Sequence, residues 1–254
     1  MNYYEQISRR RSFHVFRDTL PLSDADMAEL RAFIAALRPL EEGIRTQIRI
    51  VPEKETSSKC GAEYCLLFYS EKKGDYLRNI GYLGEQIDLY LASRNIGALW
   101  LGFGRTKEKT FDGLDFVIMM AVSRVPAEKF RSAADDPKRK SAGEIWHGDG
   151  PDIARAVRLS PSAVNSQPWL VENTGGVLRV YRTAEGHGPL HIAADAMRYY
   201  NRIDIGIFLF ILEQCLEHEG IAYERTLFAD TAERRADRTI VAEYKNMPKK
   251  EGED

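Results

Sequence analysis

Cysteine is scarce, with three in 254 residues: Cys60, Cys65 and Cys215. They form no pair of pairs at zinc-ligand spacing. An odd count with no export signal points to a reducing compartment, so a cytoplasmic location is expected. Long apolar runs are also missing. The longest, Ile203 to Leu212, has Asp204 inside it and falls well short of the about 20 residues that span a bilayer. The N-terminus, MNYYEQISRRRSF, has no apolar run followed by small residues, so no signal peptide is expected. Neither sign of charge dominates. Lys and Arg number 36 against 38 Asp and Glu, for a net charge of −2, which argues against a general nucleic-acid binder. There is no Walker motif, and Gly102–Phe103–Gly104 lacks the rest of a dinucleotide fingerprint. No catalytic triad emerges from His14, His147, His187, His191 and His218. His187 and His191 lie close together, but only Asp195 stands at metal-ligand spacing from them.

What is present describes a folded chain. Apolar residues make up 44% and aromatics 10%, which excludes wholesale disorder. The length suits one large domain or two small ones, burying roughly 70–75% of the unfolded surface. Tyr3–Ser8 reads as a short helix. Ser23–Asp26 reads as a capping box opening a helix that runs to Arg38, before Pro39. Thr46–Val51 and Tyr64–Tyr69 read as strands, and Leu77 to Asn95 as a long helix. Ala98–Leu101 and Phe116–Val122 are strand-length runs. The best internal boundary falls at Gly148–Pro151, giving halves 1–149 and 150–254. In the second half Ile153–Leu159 and Ile203–Glu219 read as helices, and Val177–Tyr181, Tyr223–Phe228 and Thr239–Tyr244 as strands. The tail from Lys245 is expected to fray. The first half runs helix, strand, strand, long helix, strand and the second helix, strand, long helix, strand, and both long helices end in Asn or Gly followed by Ile. An internal duplication is therefore expected.

Three clusters carry possible chemistry. Residues 1–17 hold four Arg against one Glu, and Arg10–Arg11–Ser12 can clamp a phosphate through bidentate and charge-assisted bonds. A solvated basic terminus explains the same residues. Ser160 to Trp169, SPSAVNSQPW, is a stretch of short polar side chains bounded by two prolines. Such a loop presents amide and hydroxyl groups to a ring edge, or simply joins a helix to a strand. Lys138–Arg139–Lys140 is a basic knot that reads as a solvated face, or as the rest of a phosphate site. Trp100 and Trp146 read as core.

Together these motifs resemble the FMN-dependent nitroreductase family. Arg10–Arg11–Ser12–Phe13–His14–Val15–Phe16 is similar to the family's opening arm, with His14 in the usual Arg or Lys place. Pro161–Ser162–Ala163–Val164–Asn165–Ser166–Gln167–Pro168–Trp169 matches its Pro-Ser-x-x-Asn-x-Gln-Pro-Trp loop at every defined position. The order is unusual. In the family the loop follows the arm closely, but here Leu37–Gly43 stands in that place and the loop arrives only at Pro161. The family is a homodimer whose flavin takes its phosphate from one subunit's arm and meets the loop of the other. The chain thus resembles a single-chain, tandem-repeat branch that keeps one flavin site between its halves.

The resemblance implies an α+β fold, two fused halves each with a mainly antiparallel sheet flanked by helices. It implies FMN as cofactor and NADH or NADPH as donor, and a nitroaromatic, quinone or similar small-molecule acceptor reached by hydride transfer through flavin N5. It assigns Arg10, Arg11, Ser12, His14, Lys138, Arg139 and Lys140 to the phosphate and ribityl end. Pro161, Ser162, Asn165 and Gln167 fall at the ring or ribityl edge, and Leu101 and Gly102 near N5. It names no catalytic side chain. A single chain suffices for one site, with no nucleic-acid or membrane partner expected. The alternatives are a non-catalytic flavin binder and a cofactor-less protein of the same fold.

Overall fold

Ser23 shows how closely local chemistry sets the elements of this chain. The computed structural model describes residues 2–132, 136–183, 193–230 and 238–247. It divides into two units, Met1–Asp136 and Pro137–Asp254. The first unit begins with helices α1 (Tyr3–Arg9) and α2 (Asp24–Ala35). The Ser23 hydroxyl accepts from Asp26 N at 3.1 Å, and Asp26 Oδ2 accepts from Ser23 N at 2.9 Å, which completes the expected capping box. Helix α2 stops at Ala35 rather than Arg38. The Gln86 side-chain amide accepts from Arg38 N at 3.2 Å and donates to Arg38 O at 2.8 Å. It takes the backbone groups that a further turn would have paired.

After α2 come strands β1 (Thr46–Pro52) and β2 (Tyr64–Ser70), helix α3 (Tyr76–Ser93), and strands β3 (Ile96–Leu101), β4 (Thr110–Phe111) and β5 (Leu114–Arg124). The sheet order is β1-β2-β5-β3, antiparallel throughout, with β4 paired to β5. Every residue of α3 from Leu77 to Leu89 is buried. Its polar side chains hold other segments in place. Asn79 Oδ1 accepts from Leu40 N at 2.9 Å and Glu41 N at 3.2 Å, and Arg78 pairs with Glu41 and Asp75 at 2.7 Å each. Asn95, at φ 58, ends α3 in the left-handed conformation.

Gly84 lets Trp100 lie against α3. A Cβ there would stand 2.2 Å from Trp100 Cη2. The ring has little freedom to move, because it stacks on Phe68 at 5.7 Å and its Nε1 donates to Asp88 Oδ2 at 3.2 Å. Gly84→Ala should therefore destabilise the protein by about 2 kcal/mol through overpacking, read as a lowered urea midpoint at unchanged slope.

The second unit holds helix α4 (Ala142–Ile145), strand β6 (Trp146–Gly148), helix α5 (Pro151–Val157), strands β7 (Trp169–Thr174) and β8 (Val177–Thr183), helix α6 (Ala194–His218), and strands β9 (Tyr223–Leu227) and β10 (Arg238–Asn246). Its sheet order is β6-β7-β8-β10-β9, with β6 parallel to β7 and the other pairs antiparallel. Without the edge strands β4 and β6, the two sheets have one order: β1-β2-β5-β3 and β7-β8-β10-β9. Each places its long helix, α3 or α6, after the first hairpin. Helix α6 ends on Gly220 at φ 65, with Ile221 N donating to Leu216 O at 2.9 Å and Gly220 N to Glu217 O at 3.1 Å. That is a Schellman cap.

Several sequence expectations shift here. The Gly148–Pro151 division lies inside the second unit, between β6 and α5. Helix α6 begins at Ala194, well before Ile203, and α4, β6 and β7 had no sequence counterpart. Lys245 and Asn246 do not fray but pair with Val177 and Tyr223, while residues 248–254 lie outside the described ones. The three cysteines are free, and burial pushes the Cys65 thiol to about 11 and that of Cys215 to about 12. Among the described residues, no helix is long and apolar enough to cross a membrane.

Candidate functional site

The basic arm is folded into the first unit. The Arg9 guanidinium donates to Ala92 O and Asn95 Oδ1 and lies 4.1 Å from the Phe130 ring centroid. A cation there complements the C-terminal end of α3. Arg10 is only 1% exposed. Its Nε stands 3.2 Å from Asp88 Oδ2, and its Nη2 donates to Ser12 Oγ at 3.1 Å. Glu85 lies one turn before Asp88 and is fully buried, and neither of its carboxyl oxygens meets hydrogen-bond geometry. Burial, and then the charge of Asp88, push Glu85 well above the usual carboxylate range. Burial raises Asp88 as well, against the pull of Arg10. Arg10, with a smaller pull from Arg131, thus opposes the burial of Asp88, and burial favours the neutral form of Glu85.

The rest of the arm runs along β3. Ser12 bridges to Ala98, and Phe13 N donates to Ala98 O at 3.1 Å. Arg11 is exposed, donates to Lys129 O at 3.3 Å and lies 5.5 Å from the Phe13 ring centroid. His14 is exposed. Leu101 and Gly102 are half-buried in a turn closed by Gly104 N donating to Leu101 O at 3.1 Å.

In the second unit the loop and the basic knot form one structure. Asn165 is exposed; its Oδ1 accepts from Arg139 Nη1 at 2.5 Å and its Nδ2 donates to Lys138 O at 3.0 Å. Gln167 is 3% exposed; its Oε1 accepts from Lys140 N at 2.8 Å, and its carbonyl accepts from Lys140 Nζ at 2.9 Å. Burial lowers the Lys140 ammonium from its ordinary value. Ser162 Oγ accepts from Gln167 N at 2.9 Å. Pro161 is buried, and Trp169 stacks on Phe208 of α6 at 4.9 Å. The Lys138–Lys140 knot, expected in the first half, therefore folds with the second-half loop. The result is a cationic, amide-bearing face with Lys138 and Asn165 exposed and Ser162 and Arg139 half-buried.

Two residues of this region escaped the sequence reading. Asp204 Oδ1 accepts from Ala163 N at 3.0 Å, and Asn201 Oδ1 accepts from Ser166 Oγ at 3.1 Å. For Asp204 its place in the apolar Ile203–Leu212 run was the available signal, because a buried polar group needs a partner; Asn201 lies before that run and had none. His187 and His191 lie outside the described residues. Among the described residues, no group of three or more His, Cys, Asp or Glu stands ready for a metal ion.

The chain matches a family model described as "Putative TM nitroreductase" over residues 2–215. Among solved structures it is similar to a "putative nitroreductase" from Thermotoga maritima, at TM-score 0.61 and 20% identity, covering 97% of this chain and 93% of that one. It also overlaps a nitroreductase with bound FMN from Desulfitobacterium hafniense, at TM-score 0.38 and 15% identity, covering 53% of this chain and 95% of that one. No curated protein matches.

Proposed function

The chain belongs to the Putative TM nitroreductase family and has the nitroreductase fold, and from that premise we propose that it is an FMN-dependent oxidoreductase. One observation carries the reading: Asn165, an exposed amide, is hydrogen-bonded to Arg139 between two lysines. Amides suit a flavin ring or ribityl edge, and cations suit a phosphate. The loop therefore fits the group. Lys138 and Arg139 would hold the phosphate, and Asn165 and Ser162 would fix an edge of the ring or ribityl chain. Gln167 and Pro161, both buried, support the loop from behind. When bound, FMN supplies two-electron transfer between NADH or NADPH and an organic acceptor such as a nitroaromatic or quinone. The chain binds and orients, and no side chain is assigned as acid or base. The matching strand orders support an internal duplication, and the presence of the loop motif in one half only, at Pro161–Trp169, supports one flavin per chain.

Arg10 does not fit the phosphate role, because it is 1% exposed and its charge is balanced by Asp88. That observation favours a second reading, a member of the fold that holds no cofactor. One experiment separates the two. Protein mixed with FMN and desalted should keep flavin absorbance, and Asn165→Ala should weaken FMN binding about tenfold, the effect of one lost polar contact. A wild-type protein left colourless after desalting decides for the second reading.

A further inference from the structure

We propose that Asp204 and Asn201 of α6 are positioning residues that set the backbone of the Pro161–Trp169 loop for flavin binding. The inference rests on the FMN reading above and extends it to residues outside the loop.

The argument starts from the backbone. Val164, Asn165 and Gln167 have φ of 46°, 60° and 50°, values that L side chains rarely adopt, least of all a β-branched one. Such conformations persist only where the surroundings over-determine them. Within the loop, Asn165 N donates to Ser162 O at 3.1 Å and Ser166 N to Ala163 O at 3.0 Å. These bonds shape the turn without fixing its place. The Lys138–Lys140 segment holds the loop through Asn165 and Gln167, and two bonds fix it to α6: Ala163 N to Asp204 Oδ1 and Ser166 Oγ to Asn201 Oδ1. They flank the strained Val164–Asn165 pair, one on each side.

The anchors are costly ones. Asn201 is 0% and Asp204 3% exposed, and neither Asn201 Nδ2 nor Asp204 Oδ2 has a hydrogen-bond partner among the described residues. An apolar pair would pack here without that burden. Holding the loop accounts for the polar choice. The first unit does likewise, with buried Asn79 of α3 accepting from Leu40 N and Glu41 N, although the segment held there lacks the motif. Burial pushes the Asp204 carboxyl well above its ordinary range and so favours the neutral acid, of which asparagine is the nearest isostere.

The test uses the full chain with Asp204→Leu and Asp204→Asn, reading FMN affinity by fluorescence quenching and amide hydrogen exchange without flavin. In Asp204→Leu, exchange across Ala163–Ser166 should rise about tenfold, β7 and β8 should keep their protection, and FMN affinity should fall about tenfold, as for one buried hydrogen bond lost. Asp204→Asn should restore both readouts. An Asp204→Leu protein that binds FMN as wild type does overturns the inference and leaves the FMN reading standing. An Asp204→Asn protein as impaired as Asp204→Leu also overturns it. A wild-type protein that binds no FMN overturns the FMN reading, and this inference with it.

Discussion

Replacing Arg10 with Met should destabilise the first unit by about 3–5 kcal/mol, the range for removing one partner of a buried ion pair. The size follows from what remains. Asp88 would lose the guanidinium that stands 3.2 Å from it, with Arg131 left as a weaker attraction, and Glu85, whose neutral form burial favours, lies a turn away. Asp88 would have to take up a proton or unfold its surroundings. The double variant Arg10→Met, Asp88→Leu should regain most of the loss, because it removes the stranded charge together with its partner. Urea unfolding of both proteins reads the difference. An Arg10→Met protein of near wild-type stability, with FMN binding weakened and riboflavin binding spared, would instead make Arg10 a phosphate ligand.

Asp204→Asn should change the pH dependence of stability with a defined sign. The carboxyl of Asp204 is raised by burial well above its ordinary 3.8. Above that pH the unfolded chain gives up the proton and the folded chain keeps it. The folded state then binds more protons, so wild-type stability falls as pH rises. The fall is about 1.4 kcal/mol per pH unit, and it lasts until the buried carboxyl itself ionises. Asparagine removes this one-proton slope. The stability difference, Asp204→Asn minus wild type, should grow steadily from pH 4 upward in denaturant titrations. A flat difference would mean that Asp204 is ionised in the folded state.

Much of the fold was legible because its signals are local. The Ser23–Asp26 box, the spacing of Leu77 to Leu91, and the Asn95 and Gly220 caps each act within a few residues. Errors arose where distant groups decide. Gln86 ends α2 from another helix. The strand β7 begins at Trp169, whose membership in a polar loop motif masked its place in the core. The first turns of helix α6, from Ala194, are only partly buried, so an apolar run marks the later half alone.

The candidate site divides in the same way. The Pro161–Trp169 motif was visible as spacing. Its fusion with Lys138–Lys140 was not, since the knot joins the loop through Asn165 and Gln167 across more than twenty residues of chain. The arginine run at 9–11 has the composition of a solvated arm. In the fold Arg9 covers the end of α3, Arg10 meets Asp88, and only Arg11 stays exposed. Nothing in the arm's own sequence reports Glu85 and Asp88, which sit on a helix more than seventy residues later.

The most direct measurement is a titration of FMN into the isotope-labelled chain, following backbone amide resonances. The account predicts saturable shifts at Lys138–Lys140 and Ser162–Ser166, with the Arg10 amide little changed. Absence of any saturable shift, or shifts that spare the loop, would contradict it.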